Sequence, residues 1–155
     1  LKILKKNKKI NNCNNLIIYS KAVSNSSSSK ILNVLEDNTT ASHLAKSTRS
    51  KYGRINGIKV KCEKFSNIVD TYDLIKLDIE GLEGLILKNI KFKKNFPDFL
   101  IEIHNKKNAR QIYDRFKIEK KYKIYKIKNN KKILIKNFKE IPKFTIDGTL
   151  LLKNE

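Results

Sequence analysis

The sequence predicts an α/β fold built on a parallel sheet. Two observations carry this expectation. Strand-type and helix-type apolar patterns follow one another in alternation from residue 73 onward, and Ala109, Ile112, Tyr113 and Phe116 recur at the spacing of one helix face. Residues 1–11 read as the end of a basic helix with Leu1, Leu4 and Ile10 as its apolar positions, and an Asn-rich break follows at 11–15. Residues 16–19 begin a short strand running toward Ala22 and Val23. A polar turn at 24–29 leads into a second short strand at 31–35. Residues 36–56, rich in Ser, Thr, Asn and Lys, read as a loop. Ile58, Val60 and Cys62 then alternate with polar and charged neighbours, the pattern of a half-exposed edge strand.

The later elements are more apolar. Residues 73–79 form a strand, and Glu80 or Gly81 opens a helix that continues to about residue 89. Pro97 breaks the chain before a strand at 99–103, and a helix follows at 108–116. Alternating segments at 122–127 and 133–135 flank Asn129 and Asn130, which predicts a hairpin. After Asp147 and Gly148, residues 149–152 make a last short strand.

Composition narrows the class. The 155 residues fit one domain, and 39% hydrophobic with 32% charged residues suits a soluble globular chain, for which a cytoplasmic location is expected. No apolar run reaches the roughly 18–20 residues that cross a bilayer. The lysine-rich start has no apolar core of a secretory signal. Cys13 and Cys62 lack metal-type spacing and read as ordinary reduced thiols. The chain opens on Leu1 and contains no Met, so a fragment is expected. A net charge of +20 attracts polyanions. Yet Arg49, Arg54, Arg110 and Arg115 are the sole arginines, and the lysines are spread along the chain, which argues against nucleic acid as partner.

Chemistry concentrates in one place. The chain has 15 acidic residues, yet Asp73, Asp78, Glu80 and Glu83 fall within a single short stretch. A strand buried on both faces should be nearly continuous in apolar residues, but Lys76, Asp78 and Glu80 interrupt Leu74, Ile75, Leu77 and Ile79. Alternation turns those three charges to one side, where burial is costly unless they pair with one another or with a ligand. Glu102 and His104 repeat the pattern in the next strand. Both groups lie toward the carboxyl ends of their strands, where open α/β sheets bind ligands. Asp78, Glu80, Glu102 and His104 are thus expected to converge, with internal ion pairing as the plainer alternative. Glu83 is expected to lie exposed in the first helical turn, where it favours the helix dipole.

Residues 73–83, DLIKLDIEGLE, closely resemble the K-x-D-x-E-G-x-E signature of FkbM-type methyltransferases, and residues 99–104 resemble that family's E-x-H strand. Residues 7–24, the segment around Ser42, residues 59–69 and residues 148–152 resemble further family stretches in the same order, although Phe65 and Ser66 replace a usual Leu-Asp. The resemblance implies a partial Rossmann-like class I methyltransferase sheet, mostly parallel with an antiparallel closing strand and lacking its first two strands. On this reading residues 1–155 are the C-terminal part of one methyltransferase domain. The family's cofactor site begins with a glycine-rich turn, and none of the glycines at 53, 57, 81, 84 and 148 forms one.

The resemblance further implies transfer of a methyl group from S-adenosylmethionine to a hydroxyl of a sugar, lipid or other small-molecule acceptor. Asp78 is then the first choice for acceptor contact or general base, with Glu80 beside it, His104 as the alternative base oriented by Glu102, and Lys76 completing the set. Ala22, Val23 and Ser24 would border the adenine of the cofactor. Asp78 and Glu102 are a candidate divalent pair, yet no ligand spacing demands a metal and none is assigned. The alternatives are an inactive truncated remnant, a basic nucleic-acid-binding module on the same fold, and a structural partner that completes its sheet with another chain.

Overall fold

The computed structural model describes residues 1–36, 42–45, 54–141 and 148–155. The expected turn residue Asp147 and most of the expected loop at 36–56 lie outside the described residues. The described elements are α1 (Lys2–Ile10), β1 (Ala22–Ser24), β2 (Ser29–Leu35), β3 (His43–Leu44), β4 (Ile55–Lys64), β5 (Leu74–Leu77), α2 (Glu83–Leu87), β6 (Asp98–Glu102), α3 (Lys106–Ile118), β7 (Tyr122–Lys128), β8 (Lys131–Leu134) and β9 (Thr149–Asn154).

The strands form two sheets, one ordered β1-β4-β2-β3 and one ordered β5-β6-β9-β7-β8. The chain is therefore α/β, but its sheets are not mostly parallel. Among the described residues β1 pairs parallel with β4 and β5 with β6, while the other strand pairs are antiparallel. In the second sheet one such pair follows from local hairpin chemistry: β7 and β8 fold back through Asn129 and Asn130, with φ of 49° and 59°. Paired positive φ values match the right-handed twist of the flanking strands, and Asn tolerates them. β9 then enters antiparallel between β6 and β7.

Three further expectations change. Residues 16–19 carry no strand, so β1 begins at Ala22. β4 is interior to its sheet rather than an edge, lying between β1 and β2. Ile58, Val60 and Cys62 share one face of the strand, and that face passes from exposed at Ile58 to buried at Cys62 as β4 runs into the core. The helix expected from Glu80 or Gly81 starts at Glu83 and ends at Leu87.

The core packs α2 and α3 onto the five-stranded sheet. Leu87, Phe99, Ile101, Ile112, Phe116, Leu150 and Leu152 are wholly enclosed. The α3 face is the one the spacing predicts, with Asn108 added to its buried positions. Asn105 caps this helix by accepting a hydrogen bond from the Asn108 N–H at 2.9 Å. α1 buries none of its residues, and Leu1, Ile3, Leu4 and Ile10 are exposed. No helix among the described residues is long and apolar enough to cross a membrane.

α2 and α3 touch closely at Gly84. A Cβ there would stand 2.5 Å from Asn108 Oδ1 and 2.6 Å from Gln111 Oε1. The Gln111 tip can swing aside, but Asn108 is held by its own hydrogen bonds, including one from the Gly84 N–H. Gly84→Ala is accordingly expected to lower stability by about 1–3 kcal/mol, the usual range for overpacking. Thermal melting of the variant checks this; an unchanged midpoint would remove the close approach as a reason for glycine.

Candidate functional site

β5 ends at Leu77, and the chain then turns through residues 78–82 before α2. The turn is tight. Glu80 has φ of 60° and Gly81 φ of 97°. Glycine adopts such a conformation freely, but for Glu80 it costs on the order of 1–2 kcal/mol. Strain of this kind persists where surrounding contacts impose it.

The imposing contacts come from Glu83. Its carboxylate is fully buried and reaches back into the turn, accepting from the Ile79 N–H at 2.8 Å and the Gly81 N–H at 3.1 Å. Asn108 of α3 donates its side-chain N–H to Glu83 Oε2 at 2.5 Å. Glu83 is therefore not an exposed partner of the helix dipole, as its sequence position suggested. It fastens the 78–82 turn to α3. The turn needs an acceptor for otherwise orphaned N–H groups, and a buried polar group must be paired.

β6 delivers His104 to the same point. Its Nε2 lies 3.4 Å from Asp78 Oδ1 and 3.4 Å from Glu83 Oε1, while Nδ1 lies 3.6 Å from Glu80 Oε2. The His104 side chain is 11% exposed and that of Asp78 36%. Lys76 Nζ stands 3.4 Å from Asp78 Oδ2 on the solvent side. Glu102 is exposed and makes no ion pair among the described residues, although its charge acts on His104.

Electrostatics follow from this geometry. Burial lowers the His104 pKa, but the Glu83 carboxylate together with Glu102 and Asp78 outweighs it and holds the imidazole above its ordinary value. Burial likewise raises the Glu83 carboxyl, while His104 and the backbone N–H groups that it accepts from bring it below the usual carboxylate range.

A cavity of about 360 Å³ adjoins the turn, and Asp78, Ile79, Glu80 and Leu82 line one side of it. Ala22 and Val23 of β1, with Leu32, His43 and Leu44, line the other. The structure thus brings Ala22 and Val23 to the same space as Asp78 and Glu80. Ser24 is elsewhere: it is buried, accepts from Lys30 Nζ at 2.6 Å, and lines a second cavity of about 290 Å³ with Asn25, Lys64 and Asn89.

Sequence reasoning missed two contributors. Glu83 could have been found through Asn108, a polar residue set in the apolar face of α3 that needs a buried partner. His43 is buried in β3 with its Nε2 3.4 Å from Asn33 Nδ2, and nothing in its Ser- and Thr-rich neighbourhood signals that.

No curated protein and no solved structure matches the chain significantly. The methyltransferase FkbM domain model matches residues 2–145, a span that contains the turn, His104 and both walls of the cavity. The chain belongs to the FkbM methyltransferase family.

Proposed function

We propose that this chain serves S-adenosylmethionine-dependent methyl transfer to a hydroxyl oxygen of a sugar, lipid or other small-molecule acceptor. The observation that carries the reading is the shared cavity, where β1 residues meet the charged turn after β5. Family membership supports methyl transfer as the reaction class. The parallel β1–β4 and β5–β6 pairs support a Rossmann-like origin for these two parts of the sheet. On this reading residues 1–155 are the later part of a methyltransferase domain, and the free thiols of Cys13 and Cys62 suit a reducing, cytoplasmic setting.

The lining fits part of the cofactor. Ala22, Val23, Leu32 and Leu44 offer apolar contact to an adenine, and the Asp78 and Glu80 carboxylates suit a cationic group. When bound, S-adenosylmethionine supplies a methyl group activated by a positively charged sulfur. Asp78, the more exposed carboxylate at the cavity, would accept the hydrogen bond and then the proton of the acceptor hydroxyl. Lys76 screens its outer oxygen, and His104 holds the inner one. Glu83 and Glu80 keep His104 in place from either side of its ring. Ser24 supports β1 beside Lys30 rather than touching the cofactor.

Titration of the isotopically labelled chain with S-adenosylmethionine, followed by two-dimensional NMR, tests the reading. Expected are saturable shifts centred on Ala22, Val23, Leu44 and Asp78 with a Kd on the order of 1 mM, which corresponds to about 4 kcal/mol of binding. Ala22→Trp, which fills the cavity, should abolish them. Absence of shifts, or shifts that survive Ala22→Trp, would remove the cavity as a cofactor site and favour an inactive remnant.

A further inference from the structure

We propose that Asp78, Glu83 and His104 form a binding site for one divalent transition-metal ion of the zinc class. One donor atom from each residue lies within 4.8 Å of the others. The spacing is specific: His104 Nε2 is 3.4 Å from Asp78 Oδ1 and 3.4 Å from Glu83 Oε1. Nitrogen and oxygen ligands bound tetrahedrally to zinc at roughly 2.0–2.1 Å stand about 3.4 Å apart. The same separation is too long for hydrogen bonding, which needs about 2.7–3.2 Å.

His104 itself is the second observation. Its Nε2 is buried and makes no hydrogen bond, although two carboxylate oxygens face it. Buried ring nitrogens in proteins are as a rule hydrogen-bonded. An ion between the three donors would give His104 Nε2 the partner it lacks and bridge it to both carboxylates. On the far side of the ring, Glu80 Oε2 lies 3.6 Å from Nδ1. At that separation the two are not hydrogen-bonded, but an ion on Nε2 would leave the ring N–H at Nδ1, on the side where this carboxylate stands.

The ligands are also held in advance. Glu83 takes its orientation from the Ile79 and Gly81 N–H groups and from Asn108. One imidazole with two carboxylates suits zinc, manganese, iron or cobalt better than calcium or magnesium, which prefer all-oxygen sites. Three protein ligands leave a position open, and Asp78 and Glu80 line the 360 Å³ cavity, so that position can face a substrate there. An ion so placed would bind the acceptor hydroxyl and ease loss of its proton to solvent or to a neighbouring carboxylate. That use rests on the methyl-transfer reading; the binding of the ion does not.

Chelator-treated chain titrated with Co²⁺ tests the site, because four-coordinate cobalt absorbs in the visible and reports its ligands. Expected are saturation at one ion per chain, displacement by Zn²⁺, and a Zn²⁺-dependent rise in Tm. His104→Gln should abolish the absorption with the circular dichroism of the fold retained. Asp78→Asn, at the most exposed ligand, should weaken binding at least about tenfold and serves if His104→Gln does not fold. Cys13→Ser and His43→Gln should leave the spectrum as it is. No cobalt absorption, a thiolate charge-transfer band, or a spectrum indifferent to both His104→Gln and Asp78→Asn would overturn the proposal. Metal binding without S-adenosylmethionine shifts leaves the ion site standing and removes the transfer reading. The reverse pattern removes the ion alone.

Discussion

Replacing Glu83 by alanine is expected to destabilise the chain by about 3–5 kcal/mol, the range for breaking a buried pair by deleting one partner. The side chain is fully buried, so solvent does not screen the loss. Its removal orphans the Ile79 and Gly81 N–H groups and the Asn108 side-chain N–H, and it takes away one of the two carboxylates 3.4 Å from His104 Nε2. Each unsatisfied buried donor costs roughly 1–3 kcal/mol, and the costs are not additive because the turn can relax. That relaxation would let Glu80 leave its positive φ, which returns some of the strain. Glu83→Gln keeps one acceptor oxygen for Ile79 and Gly81 and should lose less than Glu83→Ala. Urea denaturation of both variants measures the difference. A loss below about 1 kcal/mol for the alanine variant would mean that Glu83 does not hold the turn, since domains of this kind have only about 5–15 kcal/mol in total.

The misreading of Glu83 shows where the sequence stops informing. Period-two alternation turned Lys76, Asp78 and Glu80 to one side, and all three do lie close to one another or to His104. They do so for another reason. β5 ends at Leu77, so Asp78 and Glu80 sit in a turn to which strand alternation no longer applies. Helical spacing, by contrast, is local and continuous, and the buried face of α3 was legible from four residues. The hairpin between β7 and β8 was legible for the same reason, because two asparagines specify it within a few positions.

Strand order is a different matter. β4 reads as an edge because its exposed face is so polar, and its position between β1 and β2 depends on partners far away in the sequence. The antiparallel entry of β9 between β6 and β7 is equally nonlocal. Strand-helix alternation predicts parallel neighbours only when each crossover carries the chain back to the end at which the previous strand began, and the hairpin here breaks that succession. Likewise the contact of Ala22 and Val23 with the space beside Asp78 and Glu80 joins segments from the two sheets. The family resemblance placed them near one another; composition and periodicity could not.

The second large effect is expected at Phe99, where alanine should cost about 3–5 kcal/mol. Phe99 is wholly buried in β6, between Ile75 of β5 and Leu152 of β9 in the sheet register. Its ring meets Phe116 edge-on at 5.6 Å and lies 6.1 Å from both Phe92 and Tyr122. Such aromatic pairs add about 0.5–1.5 kcal/mol beyond area burial, so the cavity left by alanine loses both dispersion and ring contacts. Phe99→Leu fills most of the space and should cost less than half as much. The consequence reaches the site through the strand itself. Phe99 and His104 belong to one continuous segment, and the register that seats the ring in the core also sets how far His104 extends beyond Glu102 toward Asp78 and Glu83. Urea denaturation of Phe99→Ala should show the midpoint fall, and the NMR signals of His104 and of the 78–82 turn should shift even where the variant remains folded. A destabilised variant whose His104 environment is unchanged would show that the ion-pair cluster holds its geometry by itself. Shifts confined to the aromatic core would say the same. A common loss of core packing and His104 position would instead establish that β6 transmits the order of the aromatic cluster to the candidate site.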